Sequence, residues 1–521
     1  MLGSGVYSLP ELLYTADAVR AVDRYVIEQV GVPGFDLMQR AASAAFRQLV
    51  RVWPEPGLLL VLCGAGNNGG DGYLVAANAR RHGMKVDCVA VSDPDRLQGD
   101  ARAAYQKAIA DGVMVQRWSD LDEVARDAVF ARCGLVVDAM LGTGTSGAPR
   151  APFDELIRRC NLAGQPVLAI DLPSGLDATT GVAPGAVVRA SVTVTFIALK
   201  AGLFTGQGAE YCGAVVFEAL DTEDQIGRSG QQPVARRLDW ASVQAGLPRR
   251  SATAHKGRFG HVLIVAGDRG YGGAGLLAAE AAARSGAGLV TLATRPEHVT
   301  AALVRCPSVM VQGLIHGSEL APLLNKASVV VCGPGIGQGA WGQQMLQQVL
   351  ASGKPQVLDA DALNLMARRV PVRATDHLLT PHPGEAARLL DVSVADIEAD
   401  RLGSVQALAR RFGGTVLLKG AGTVIATEGA LPIIISGSNP GMATGGMGDV
   451  LSGLAGSLLA QLGDAPEAAA MAAALHLAAA CQASQQQGYM GLLPTDVIKT
   501  IPSLLAAAEV AGAECDPGAG E

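Results

Sequence analysis

Near the end of this 521-residue sequence, Gly437-Ser438-Asn439-Pro440-Gly441-Met442-Ala443-Thr444-Gly445-Gly446-Met447-Gly448-Asp449 runs straight into the apolar Val450-Leu451-Ser452-Gly453-Leu454-Ala455. This reads as a glycine-rich loop entering a helix N-terminus. Free backbone N–H groups and the positive end of the helix dipole make such a place an anion site. Asp449 at its rim is unhelpful to an anion unless it takes a proton from a substrate hydroxyl. The plainer reading is an ordinary N-cap. Two further carboxylates end strand-like runs: Asp138 after Leu135-Val136-Val137, and Asp171 after Val167-Leu168-Ala169-Ile170. Tips of neighbouring parallel strands converge on one crevice. There the two carboxylates, the Asn68 amide and the Ser174 hydroxyl or backbone oxygen would make a hard-oxygen cluster. With no nearby His or thiolate, that set suits a hard cation better than zinc. The alternative is that each aspartate caps the turn that follows it.

The elements that must position these groups follow one grammar. Leu58–Cys63 reads as a buried strand, Gly64-Ala65-Gly66-Asn67-Asn68-Gly69-Gly70-Asp71-Gly72 as a phosphate-cradling loop, and Tyr73–Ala77 as the start of a helix. Thr15 caps a helix beginning at Ala16. In the second half, Val329-Val330-Val331 leads into Cys332-Gly333-Pro334-Gly335-Ile336-Gly337. Gln356–Asn364, Leu378–Glu385 and the strand–turn–strand Leu417–Ile425 repeat the pattern of a short apolar run followed by glycine, proline and polar residues. Helix-length spacers between them indicate an open α/β sheet with ligands at the carboxyl ends of its strands.

Composition narrows the class. Hydrophobic residues make up 49% and charged residues 17%, the balance of a chain with ample core. A net charge of −7 with 4% aromatics argues against a nucleic-acid groove. The nine cysteines are scattered without a CxxC pair, as expected for buried thiols in a reducing, cytoplasmic setting. The N-terminus lacks the basic-then-apolar pattern of a secretory signal, and the alanine-rich Ala468–Cys481 is too short to span a membrane. The length implies more than one core. Periodicity breaks between Asp221 and Pro233, which divides the chain into domains at about 1–225 and 235–508, with 509–521 as a flexible tail.

Residues 10–220 resemble the YjeF N-terminal family, the NAD(P)H-hydrate epimerases, through GAGNNGGDG, DAMLGTG and DLPSGLDATTG. Residues 250–508 resemble the ribokinase-like nucleotide-dependent NAD(P)H-hydrate dehydratases through HPGE, KGAGT and GGMGD. The implied fold is a Rossmann-like three-layer α/β domain followed by a ribokinase-like three-layer α/β domain.

The first resemblance implies Asp171 as catalytic residue and potassium at Asn68, Asp138 and Ser174. It also implies hydrate contacts from Asn67, Asn68, Gly69, Gly70 and Asp71, and from Gly142, Thr143, Gly144, Thr145, Ser146, Gly147 and Ala148. The second implies Asp449 as catalytic base, with Ala274, Gly335 and His382 on the hydrate. Nucleotide contacts then fall to Lys419, Gly420, Ala421, Gly422, Thr423, Asn439, Gly445, Gly446, Met447 and Gly448, with Mg2+ accompanying the nucleotide. Lys200 stands at a strand end, where it could hold a phosphate or simply face solvent.

Together these resemblances imply a bifunctional repair enzyme that interconverts R and S hydrates of NADH and NADPH and dehydrates the S form. The fused layout with the epimerase first implies ADP as co-substrate, giving AMP and phosphate. Relatives imply a homo-oligomer; no nucleic-acid or membrane partner is expected. Two rivals come from other classes. The second half could be a small-molecule kinase, and the first could be a binding module that retains the fold without catalysis.

Overall fold

Six apolar residues in a row, Leu58–Cys63, form the central strand of the first half, and only Leu58 escapes full burial. An unbroken apolar run suits a strand covered on both faces. The computed structural model describes residues 9–368 and 376–514, and the chain separates into two compact units, Met1–Arg236 and Arg237–Glu521.

One sheet of the first unit is made of β1 (Leu58–Cys63), β2 (Lys85–Ala90), β3 (Val115–Arg117), β4 (Leu135–Ala139), β5 (Val167–Ile170), β6 (Val192–Phe196) and β7 (Ala214–Glu218). They lie in the order β3-β2-β1-β4-β5-β6-β7, and every pairing is parallel. The order reverses between β1 and β4, so a crevice opens at their carboxyl ends. Alternation along β1 divides the core: Leu59, Val61 and Cys63 join one cluster, while Leu60 and Leu62 join another with Trp118, Phe130, Leu156 and Ile157. The first cluster packs helices α1 (Ala16–Tyr25), α2 (Gly34–Val52), α3 (Asn67–Arg81) and α4 (Gly99–Ala110) onto the sheet. As expected, Thr15 caps α1, its Oγ1 accepting from the Ala18 amide at 3.1 Å.

The second unit has β8 (His261–Val265), β9 (Leu289–Thr294), β10 (Met310–Gly313), β11 (Val329–Cys332), β12 (Gln356–Leu358), β13 (His377–Leu379), β14 (Thr415–Leu418), β15 (Thr423–Thr427) and β16 (Ile433–Ile435). Their order is β10-β9-β8-β11-β12-β13-β14-β15-β16, parallel up to β14 and antiparallel after it. The alanine-rich segment is a helix, Ala465–Gln487, much of it buried in the core of this unit. Small side chains there let helices and sheet approach closely.

Three expectations change. The stretch 64–72 is only partly a loop, because α3 already starts at Asn67. Its glycines serve packing: a Cβ on Gly69 would lie 2.1 Å from the Gly64 carbonyl oxygen, and one on Gly70 2.7 Å from Met38 Sδ. The polar stretch after Asp221 is not an open linker but carries a short helix, Glu223–Arg228. The last helix runs on from Pro494 to Glu514, so the first part of the expected tail is helical, and 515–521 lie outside the described residues.

Gly69→Ala should cost the first unit about 1–3 kcal/mol, the usual range for overpacking a tight site. Gly144→Ala, whose Cβ meets nothing within 4 Å, should stay within about 0.5 kcal/mol. Urea unfolding of both variants checks this, and equal midpoints would contradict it.

Candidate active sites

The first unit holds a cleft of about 530 Å³ at the carboxyl ends of β1 and β4, lined by Asn67, Asn68 and Asp71 of α3 and by Gly142–Thr145. Asp23, Asp100, Asp171 and Lys200 also line it. Asn67, Asn68 and Asp71 are helical neighbours at spacings that share a face. Gly69 and Gly70 are buried away from the cleft. Ser146, Gly147 and Ala148 line a smaller recess of about 200 Å³, to which Thr145 also contributes.

The expected oxygen cluster forms, but without Asp171. Asp138 is fully buried; the Ser174 hydroxyl donates to it at 2.6 Å, and the Ser174 and Met140 amides at 2.8 and 3.2 Å. The Leu141 amide donates to Ser174 Oγ at 2.8 Å, and Asn68 Nδ2 donates to the Leu141 carbonyl at 3.0 Å. Asn68 Oδ1 is buried with no partner. Burial pushes the Asp138 carboxyl up to about 6, against the lowering effect of these hydrogen bonds.

Asp171 instead pairs with Lys200. The lysine ammonium donates to Asp171 Oδ1, and also to Thr195 Oγ1 at 3.1 Å and the Phe196 carbonyl at 3.0 Å. Lys200 is fully buried, so the sequence-based alternative of a surface lysine is wrong. Its backbone is held by a short parallel pairing, Tyr14 with Lys200. Asp171 itself has φ +68°, a left-handed conformation that aspartate tolerates better than most residues. Burial, then the charges of Asp171 and Asp23, push the Asp71 carboxyl well above the ordinary carboxylate range. Asp23 is raised too, by burial and then by Asp171.

In the second unit Asp449 is the third residue of a helix, Met447–Leu462, that begins after Gly446 at φ +95°. It stands near a buried network. Lys419 Nζ is 2.6 Å from Asp359 Oδ1 and 3.7 Å from Glu385 Oε2, and the Ser452 hydroxyl donates to Asp359 Oδ2 at 2.7 Å. Burial opposes the Lys419 charge, but Asp359, Glu385 and Asp449 outweigh it and hold its pKa above the usual value. Burial pushes Asp449 up to about 7, with Asp359 adding to the rise and Lys419 opposing it. A carboxylate poised near neutrality suits proton abstraction.

The remaining expected residues divide. A Cβ on Gly335 would lie 2.8 Å from Tyr271 Cβ and 3.3 Å from Ala274 Cβ, so the structure brings Gly335 and Ala274 together. His382 caps the helix Pro383–Leu390, its Nδ1 accepting from the Gly384 amide at 3.0 Å, while Glu385 returns a bond to the His382 amide. The Gly420–Thr423 turn closes through Thr423 Oγ1 donating to the Gly420 carbonyl at 3.0 Å. Gly420 sits at φ +141°, where a Cβ would meet the Arg401 guanidinium at 2.7 Å. Asn439 is turned inward: its Oδ1 accepts from Gly441 and its Nδ2 donates to Ser484 at 3.0 Å. Its side chain therefore shapes the loop. Met447 is buried in the core and offers only its backbone. Sequence reasoning left the role of Lys200 open and missed Asp359 and Ser452; the strand-end position of Asp359 in VLDAD was the available signal.

Two family models match. One, described as YjeF-related protein N-terminus, covers residues 34–202, and the other, NAD(P)H-hydrate dehydratase, covers residues 262–503. The bifunctional NAD(P)H-hydrate repair enzyme Nnr of Coxiella burnetii is 42% identical over 486 residues, covering 93% of this chain and 98% of that protein. The chain belongs to the bifunctional NAD(P)H-hydrate repair enzymes. The Escherichia coli member of this repair-enzyme family is 41% identical over 498 residues, covering 96% of this chain and 95% of its own. A solved ADP/ATP-dependent NAD(P)H-hydrate dehydratase from Bacillus subtilis is 28% identical and covers 52% of this chain and 97% of that one, with a TM-score of 0.47. As a repair enzyme, the chain joins an epimerase domain to a dehydratase domain. Among the described residues, no helix is long and apolar enough to cross a membrane.

Asp171→Asn should destabilise the first unit by about 3 kcal/mol, because it leaves the Lys200 ammonium buried without its counter-charge. Adding Lys200→Met should recover most of that loss without restoring epimerisation. Additive losses in a thermal-melt double-mutant cycle would contradict the pairing.

Proposed function

We propose that the second unit dehydrates the S hydrate by a kinase-like route with Asp449 as base. The observation that carries this reading is a carboxyl raised to about 7 in the first turn of a glycine-led helix, within the field of Lys419. Hydroxide leaves poorly and phosphate leaves well. Asp449 takes the proton of the substrate hydroxyl, whose oxygen attacks the terminal phosphoryl of the nucleotide. Backbone amides of Gly445–Gly448 and the Lys419 ammonium offset the charge on the transferring group. Elimination of phosphate then restores the ring double bond. With ADP as co-substrate the products are NAD(P)H, AMP and phosphate. Gly335 and Ala274 offer close backbone approach to the hydrate. Magnesium would accompany the nucleotide, bound by phosphate oxygens and water, and would supply positive charge to the transferring group.

In the first unit the same reading gives Asp171 the role of acid–base in interconverting the epimers, with the cleft of Asn67, Asn68, Asp71 and Gly142–Thr145 around the hydrate. Potassium fits the donor set beside it. Asn68 Oδ1 is a buried oxygen without a partner, and Asp138 is a buried carboxylate whose partners are Ser174 and Met140 hydrogen-bond donors rather than a cation. Asn68, Asp138 and Ser174 would hold the ion, which supplies the positive charge that Asp138 lacks.

Asp449→Asn should abolish ADP-dependent dehydration and keep ADP affinity within a few-fold, since the phosphate contacts are largely backbone. Recovery of absorbance at 340 nm from S hydrate, beside calorimetric ADP binding, checks this; normal turnover would refute the base. In the unaltered chain, dehydration should rise with pH through about 7, because Asp449 works only once ionised. A rate flat from pH 5.5 to 8.5 would contradict that assignment.

Asp138→Ala should remove the dependence of epimerisation on potassium and slow it, leaving dehydration of S hydrate unchanged. A full-rate Asp138→Ala chain in potassium-free buffer would remove the cation site.

A further inference from the structure

The first cleft holds more titratable groups than a single acid–base residue needs. Asp171 is committed to Lys200. Asp71 lines the same cleft from α3 beside Asn67 and Asn68, and among the described residues its carboxyl has no hydrogen-bond or ion-pair partner. One cavity thus holds a carboxyl without a partner and a salt-bridged one.

We propose that Asp71 is a second catalytic residue of the epimerase unit, the acid that protonates the departing hydroxyl while Asp171, held by Lys200, receives the proton of the incoming water. This rests on the epimerase reading of the cleft. The hydroxyl-bearing carbon of the hydrate adjoins the ring nitrogen, whose lone pair can replace the departing oxygen. Asp71 gives its proton to the hydroxyl; the C–O bond breaks, its electron pair leaves with water, and the nitrogen lone pair forms a C=N bond. Water then adds to the opposite face. Its oxygen forms the new C–O bond, the C=N π pair returns to nitrogen, and Asp171 accepts the proton. The forward pass ends with Asp71 ionised and Asp171 protonated, so the reverse inversion uses the same pair with roles exchanged. No oxidant, reductant or further reactant enters.

The raised proton affinity of Asp71 agrees with this role, and so does its distance from any ammonium hydrogen bond: Lys200 spends its donors on Asp171, Thr195 and Phe196. Two carboxyls whose surroundings separate their protonation states are the usual arrangement for paired acid and base work. Asp23 is the nearest competitor for the acid role, since it shares the cleft and is also raised.

The test uses the full chain, pure S-NADHX and no nucleotide, in water enriched in oxygen-18, with both epimers followed by mass spectrometry and enzyme-free exchange subtracted. Each R molecule formed should carry one solvent oxygen. R epimer formed with its original oxygen overturns the proposal whatever any variant does. Asp71→Asn should slow inversion on the order of 10²–10⁴-fold, and Asp71→Glu should restore part of the rate. A full-rate Asp71→Asn chain, or a loss confined to Asp23→Asn, also overturns it while leaving the epimerase reading intact. An unaltered chain that never inverts S-NADHX would instead sink the epimerase reading itself.

Discussion

A lysine ammonium is not readily taken out of water unless an anion meets it, and each unit of this chain sets a lysine against an aspartate at the tip of a strand, one fully buried and the other with a fifth of its side chain exposed. Lys200 meets Asp171 in the first unit, and Lys419 meets Asp359 in the second. Breaking such a pair leaves an uncompensated buried charge, which is costly. The pairs therefore fix the carboxyl ends of β5 and β12 in one geometry. That geometry in turn fixes where the neighbouring titratable groups stand. In the first unit the pair holds Asp171 in the cleft; in the second it leaves Asp449 beside a positive charge but not bonded to it.

The same arrangement explains why neighbouring carboxyls differ in character. Asp138 and Asp449 are both raised chiefly by burial, to about 6 and about 7. Asp138 is tied down by three donors, whereas Asp449 has no hydrogen-bond partner among the described residues. Hydrogen-bond partners, more than proton affinity, separate the two carboxyls.

Much of this was legible in the sequence. The apolar runs that became β1, β4, β5, β11 and β12 ended where their glycines and aspartates indicated, because parallel strands buried on both faces leave little ambiguity. The Gly445–Asp449 loop did enter a helix, and Asn68, Asp138 and Ser174 did come together. What was hidden depended on direction rather than type. Nothing in the sequence says that Lys200 points inward, since burial of a lysine requires a partner twenty-nine positions away to be known. Asn439, which the resemblance implied as a nucleotide contact, braces its own loop instead, because its amide can both donate and accept. Gly69 and Gly70 looked like loop residues because glycine serves both a turn and a helix packed tightly on its neighbours.

Epimerisation matters to this chain only because dehydration takes one epimer, so the account stands on whether both hydrates return to the reduced cofactor. The most direct measurement is the final 340 nm absorbance recovered from an equal mixture of R- and S-NADHX with excess ADP. The unaltered chain should return the whole mixture, and the Asp171→Asn/Lys200→Met chain should stop near half within the same period. An unaltered chain that stops near half, or a doubly substituted chain that completes recovery at the same speed, would contradict the account.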